Sequence, residues 1–330
     1  MTTKRMLGGR LVNPVGLGCM NLSWAYVAPP PADYAERLLH RALDLGYDHL
    51  DTARLYGRGA NELLIGTALS ARRREFFLAS KMGIFDVDDR RIIDCRPEII
   101  RREVEISLKA LRTDHIDLYY MHRLDRSVPI EESVGAMGDL VREGKIGGYG
   151  LSEVSAATLR RAHGAHPVMA VQNEYSLWSR NSEIAVLQAC AELGVAFVAF
   201  SPLGRGALAN GVGDATALGE SDIRRMMPRF QGEHWAANQR LIAQFAEMAA
   251  AEGVTPAQLS LAWVLARGAH VHVIPGSQNI DHVAENIARG DWRPSAAVMA
   301  ALDALINRAT VSGERYPPSL QATIDTEEFS

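Results

Sequence analysis

One phrase recurs along the chain: an amphipathic segment, a glycine, then a short apolar run. It occurs as LDLGYDHLD, VREGKIGGYG, AELGVAFVAF and LARGAHVHVI. The segments before the glycines keep apolar residues on one helical face. Leu38, Leu39, Ala42 and Leu45 recur at helical spacing in YAERLLHRALDLG, as do Ile100, Val104, Leu108 and Leu111 in EIIRREVEISLKAL. Gly46, Gly144, Gly194 and Gly268 stand where a helix closes on a left-handed residue. The runs that follow are short, apolar and rich in β-branched or aromatic residues, the pattern of parallel strands covered on both faces.

Eight such strands are predicted, ending near Cys19, Asp51, Lys81, His122, Leu151, Asn173, Phe200 and Ile274. Regular βα alternation with eight strands predicts an α/β fold, a (β/α)8 TIM barrel spanning residues 1–330 as a single domain. A doubly wound sheet is the alternative, but no GxGxxG follows the first strand; GLGCMN offers only Gly16 and Gly18. KRMLGGRLV reads as an N-terminal hairpin turning at Gly8-Gly9, placed to plug the barrel's N-terminal end. After Phe200 the chain runs through Gln239 before the next clear helix. Connections beyond ~15 residues usually carry function, and this one leaves the C-terminal face, so a lid or cofactor belt is expected. The irregular tail from about Ser312 to Ser330 is expected to fold over the same mouth.

Composition narrows the function classes. The 330 residues are 47% hydrophobic and 22% charged, as in a soluble globular protein. A formal net charge of -4 does not suggest a nucleic-acid surface. MTTKRMLGGRLVNP lacks the apolar core of a signal peptide, and no apolar run approaches the ~18 residues of a membrane span. Cys19, Cys95 and Cys190 lie far apart with no CxxC pair, which argues against a zinc site or disulfide framework and predicts a cytoplasmic protein.

The chemistry sits at the predicted strand ends. Asp51, Lys81 and His122 close strands two, three and four, which are neighbours in a barrel. Tyr56 follows Asp51 in DTARLYG and can curl back over them. A free phenol, with a pKa near ~10, is a poor acid at neutral pH. Lys81 is expected to stabilise the phenolate and lower that pKa, with Asp51 holding the lysine charged and His122 donating to, or sharing a proton with, the same oxygen. Such a site suits protonation of a carbonyl oxygen while a cofactor delivers hydride to its carbon. Trp24 and Phe85, in the loops after strands one and three, are candidate substrate-pocket residues. Trp178, after strand six, reads as pocket lining or as loop packing; Arg123, Arg224 and Arg229 read as solvated charge.

Seven stretches, DTARLYG, SKMG, YYMHR, GLSE, QNEYSLWSR, SPLGRG and IPGSQNIDHVAENI, occur in an order that resembles the aldo-keto reductases over nearly the whole chain. The resemblance implies a catalytic tetrad of Asp51, Tyr56, Lys81 and His122, with Tyr56 as general acid. It implies NADP(H) lying extended across the barrel mouth, and a small-molecule carbonyl substrate. By the same carry-over Ser152 and Gln172 hold the nicotinamide carboxamide, with Met20 among the cofactor contacts, and Phe200 stacks on the nicotinamide ring. Relatives often carry Asn beside that serine, where this chain has Glu153. Ser201, Leu203, Gly204 and Arg205 match the pyrophosphate side, and Gly276, Ser277, Gln278, His282, Glu285 and Asn286 the adenosine end. Many relatives place Lys or Arg at one or more of positions 276, 278 and 282; here the histidine alone is basic. Two rival functions stay open: a Schiff-base lyase using Lys81, and a cofactor-binding regulatory subunit of the same fold. The particular carbonyl compound, the physiological direction and the oligomeric state are not written in these motifs.

Overall fold

The computed structural model describes residues 3–87 and 90–329. Strands β1 (Arg5–Leu7) and β2 (Arg10–Val12) form an antiparallel hairpin, with Gly8 and Gly9 at φ 54° and 81° in its turn. Then come β3 (Leu17–Gly18), β4 (His49–Asp51) and β5 (Phe77–Met82), followed by a second antiparallel hairpin, β6 (Ile84–Val87) with β7 (Arg90–Ile93). The sheet continues with β8 (Leu118–Met121), β9 (Tyr149–Ser152), β10 (Ala170–Glu174), β11 (Ala196–Phe200) and β12 (Val271–Val273). Strands β3, β4, β5, β8, β9, β10, β11 and β12 pair in parallel in that order. The curl closes by backbone bonds: Gly16 N to Val273 O at 2.8 Å, Val273 N to Pro14 O at 2.8 Å, and Gly18 N to Pro275 O at 3.1 Å. The fold is the expected (β/α)8 barrel.

Helices α1 (Ala32–Asp44), α2 (Ala60–Leu69), α3 (Pro97–Leu111), α4 (Ile130–Arg142), α5 (Ala156–Ala165) and α6 (Val186–Leu193) fill the crossovers. Helices α7 (Gly232–Ala251) and α8 (Pro256–Leu265) both precede β12, and α9 (Ile280–Ala288), α10 (Ala296–Leu305) and α11 (Pro318–Gln321) follow it. Gly46, Gly144 and Gly194 adopt φ of 98°, 75° and 69°, as left-handed helix ends require. Gly268 does not; α8 ends earlier, at Leu265, and a Cβ on Gly268 would lie 2.5 Å from the His270 ring. No helix among the described residues is long and apolar enough to cross a membrane.

Period-two alternation sets what points inward. Phe77 and Ala79 of β5, Leu118 and Tyr120 of β8, and Ala170, Ala196 and Val198 pack inside the barrel, while Leu78, Tyr119 and Met121 join the layer beneath the helices. Leu7 and Val12 complete the inner cluster, so the first hairpin plugs the N-terminal end. The same alternation carries Lys81 inward after Phe77 and Ala79, and Asp51 after His49. His122 follows Leu118 and Tyr120 in that phase. The site residues therefore stand on top of the inner core, at the strands' C-terminal ends.

Two histidines belong to that inner core. His49 has no partner for either ring nitrogen among the described residues and sits 5.8 Å from the Phe77 ring and 6.5 Å from the His272 ring. Burial pushes His49 down to about 4 and His272 to about 3. Both stay neutral when folded, whereas an unfolded chain binds protons below its histidine pKa of ~6.5. Stability is therefore expected to be full above pH ~6.5 and to fall as the pH drops toward the folded values, by on the order of 2 kcal/mol per histidine at pH ~5. Urea unfolding at pH 7 and pH 5 checks this; a His49→Leu variant is expected to flatten the dependence, and an unchanged slope would count against it.

Candidate active site

A cavity of about 690 Å³ opens at the C-terminal end of the barrel. Lys81 is wholly buried behind Asp51 and Tyr56, which line the cavity. The Lys81 Nζ donates to Asp51 Oδ1, to the Thr52 carbonyl at 2.8 Å and to the Tyr56 hydroxyl at 3.3 Å. The second Asp51 oxygen accepts from Gln172 Nε2 at 2.8 Å. Tyr56 reaches back because the chain beyond it turns sharply, with Gly57, Arg58 and Gly59 at φ 58°, 54° and 94°. Its ring stacks with Trp24 at 6.3 Å and meets the His122 ring edge-on at 5.9 Å. Asp51, Tyr56, His122 and Trp24 all line the cavity.

The electrostatics differ in part from the sequence expectation. Burial works against the Lys81 ammonium, but the Asp51 carboxylate and the Tyr56 oxygen overcome it and hold the lysine above its ordinary pKa. Burial also raises the Tyr56 phenol, and Lys81 offsets only part of that rise, so the net shift is upward rather than downward. The phenol is therefore protonated at neutral pH, the state a proton donor must be in. Burial, reinforced by Arg123, Lys81 and Arg91, pushes His122 well below its ordinary pKa. A neutral imidazole has one N–H to donate and no spare proton to share. Its Nδ1 has no partner among the described residues.

Toward the belt, Met20, Ser152, Gln172, Phe200, Ser201, Leu203 and Arg205 line the cavity; at its far end Gly276, Ser277, Gln278, His282, Glu285 and Asn286 do. Gly204 does not line it. Its φ is 55°, and a Cβ there would stand 3.2 Å from Leu208 and Trp178, so it serves the belt's turn. Phe85 is the other exception. Alternation along β6 and β7 turns Ile84, Asp86, Arg91 and Ile93 to the cavity and packs Phe85 against the main core. Gln278 also differs from its expected role: its amide donates to the Asn21 and Ala28 carbonyls at 2.6 and 3.2 Å, clasping the loop after β3. Ser277 Oγ accepts from Asn279 N at 3.0 Å, and Asn279 caps α9, which begins at Ile280 as expected.

The long connection after β11 is a belt of short turns, and the regular helix α7 starts at Gly232, before the predicted Gln239. Under the belt lies a buried charge cluster. Arg205 donates to Glu174 at 2.7 Å and to the Tyr316 hydroxyl at 2.9 Å. Arg315 donates to Glu153 at 2.5 Å and to Glu174 at 3.1 Å. Glu153 has φ 57°, is fully buried and faces this cluster, not the cavity. Neither Arg224 nor Arg229 is solvated: Arg224 pairs with Asp222 and stacks over Tyr26, and Arg229 donates to Trp178 O, Ser179 Oγ and Gly313 O. Trp178 is buried and stacked on Phe230, 6.0 Å away, so it packs rather than lines the pocket.

The tail does cross the mouth, with Ser330 outside the described residues. Asp325 and Glu327 accept from the first amides and hydroxyls of α5, at 2.7 to 3.2 Å, and so cap it. Tyr316, Leu320 and Thr323 thereby become cavity walls. Pattern reading missed these three and the β6–β7 wall. The hairpin had a signal, two strand-like runs in GIFDVDDRRIID; the tail's contacts span too much sequence to have left one.

Comparison with known proteins agrees with this geometry. The model of the aldo/keto reductase family matches residues 14–307. An aldo-keto reductase, yakc [NADP(+)], of Schizosaccharomyces pombe is 38% identical over 97% of this chain and 96% of its own. A glycerol dehydrogenase of Gluconobacter oxydans superposes with a TM-score of 0.85 at 27% identity, covering 96% of this chain and 98% of that one. An aldo-keto reductase of Klebsiella pneumoniae solved in complex with NADPH gives 0.72 at 27% identity, covering 99% of this chain and 100% of that one. With the family model spanning most of the sequence and a relative this similar along nearly its full length, the chain belongs to the aldo/keto reductase family.

Proposed function

We propose that the protein reduces an aldehyde or ketone to an alcohol, reversibly, with NADPH, and that Tyr56 is the proton donor. The observation that carries this is the polar chain from Gln172 through Asp51 and Lys81 to Tyr56, ending at a protonated phenol on the cavity wall. Tyr56 O–H points its proton at a carbonyl oxygen, and neutral His122 donates a second hydrogen bond to it. Lys81 behind the phenol stabilises the negative charge left on Tyr56 after transfer. NADPH supplies the hydride when bound.

The cavity suits an extended dinucleotide. Ser152 and Gln172 offer polar groups beside the reacting end, Phe200 an aromatic face, Ser201 and Leu203 the belt, and Ser277 and His282 the far end. With Gln278's amide hydrogens committed to two carbonyls, discrimination for a 2′-phosphate falls to Ser277 and His282. Each contributes about 0.5–1.5 kcal/mol, so NADPH is expected to be preferred over NADH by about 10- to 100-fold in kcat/KM. Initial rates with both cofactors over a carbonyl panel test the whole reading; absence of any NADPH consumption would overturn it, and equal use of NADH would remove the phosphate site. A Schiff-base role is disfavoured because Lys81 is buried, charged and committed to three acceptors, whereas that chemistry needs a neutral, reachable amine.

A further inference from the structure

The reacting end of the cavity has an unbalanced charge. Its walls beyond Tyr56 and His122 are apolar: Trp24, Leu55, Ile84 and Ile93. Three charged side chains interrupt them, Arg91, Arg123 and Asp86. Arg123 follows His122 directly, and its Nη1 donates to the His122 carbonyl at 2.6 Å. Among the described residues it has no carboxylate partner. Arg91 lies 3.7 Å from Asp86 and 5.6 Å over the Trp24 ring, a loose pairing on the second hairpin. Asp51 cannot neutralise Arg123, since Lys81 and Gln172 take both of its oxygens. Glu285 belongs to α9, at the adenosine end. Both arginines are near enough to His122 to depress its pKa. A guanidinium held half-buried among apolar walls without a counter-charge is costly, and its fork of donors matches an oxyanion in geometry.

Building on the carbonyl-reductase reading, we propose that the preferred substrate carries an oxyanion, a carboxylate or a phosphate ester, on the end remote from its carbonyl, and that Arg123, assisted by Arg91, binds it. The carbonyl then faces Tyr56 and His122 while the anion sits across the pocket. A neutral analogue leaves Arg123 desolvated and unpaired, and this sets the selectivity.

The test compares matched pairs with NADPH: 4-formylbenzoate against methyl 4-formylbenzoate, and glyceraldehyde 3-phosphate against glyceraldehyde. The anionic member of at least one pair is expected to have the higher kcat/KM by about 10-fold or more. Which pair shows it separates carboxylate from phosphate. The ratio is expected to shrink toward about 2-fold in Arg123→Gln and to survive in part in Arg123→Lys, because lysine keeps the charge without the fork. Arg91→Gln, on the solvent-facing hairpin, is expected to lower it less and serves as a variant whose folding is not in question. Equal turnover within both pairs by the unaltered protein overturns the proposal and leaves the reductase reading intact. If none of the four is reduced, titrating benzoate and benzamide into the NADP+-loaded protein decides: tighter benzoate binding that Arg123→Gln abolishes supports the site, and equal binding, or none, overturns it.

Discussion

Replacing Tyr56 with phenylalanine is expected to lower kcat for carbonyl reduction by about 10²–10⁴-fold, the usual worth of a positioned proton donor. NADPH affinity is expected to stay within about 2-fold of the unaltered protein. The two effects separate because the phenol meets Lys81, Trp24 and His122 at one end of the cavity, while the residues suited to the cofactor line the rest. Phenylalanine keeps the ring that stacks on Trp24, so the pocket should hold its shape. Neutral His122 cannot take over, because it lacks the acidic proton of an imidazolium. Steady-state kinetics beside fluorescence titration of NADPH measure both quantities. A variant that keeps more than about half of kcat would remove Tyr56 from the donor role.

Much of this site was legible before any coordinates, for a specific reason. In a barrel the chemistry gathers where strands end, and strand phase can be read from single runs such as FFLASK, in which Phe77, Ala79 and Lys81 share a face. Two kinds of information were not local. The sign of the Tyr56 shift depended on how completely the phenol is buried, and burial is a property of the assembled cavity. The fate of Glu153 depended on Arg315, which is 162 residues away in sequence. Read locally, Glu153 looked like a departure at a cofactor position; in the fold it anchors the tail through a buried ion pair. Arg205 is similar. Its motif pointed to phosphate, while its guanidinium is held by Glu174 and Tyr316. Phe85 failed on strand phase alone, because its segment read as a loop and a loop has no inward face to assign.

Lys81 offers the second large effect, and one that separates folding from chemistry. Lys81→Met leaves the Asp51 carboxylate buried with Gln172 as its remaining polar partner. Breaking a buried ion pair from one side costs about 3–5 kcal/mol, because the surviving charge is uncompensated. The variant is therefore expected to unfold at markedly lower urea and to be nearly inactive. Asp51→Asn combined with Lys81→Met removes both charges together, and a neutral pair in a buried site is often tolerated. The double variant is expected to recover most of the lost stability and almost none of the rate, since Tyr56 still lacks the ammonium that stabilises its anion. Removing Lys81 also removes the main influence that lowers the Tyr56 pKa. Reduction needs the phenol protonated, so the alkaline limb of the pH–rate profile is expected to move to higher pH in whatever activity remains. Urea unfolding and kcat across pH 6–10 on both variants measure the three effects. If the double variant regained activity in step with stability, Lys81 would matter only to the fold, and the assignment of its charge to the proton-transfer step would be wrong.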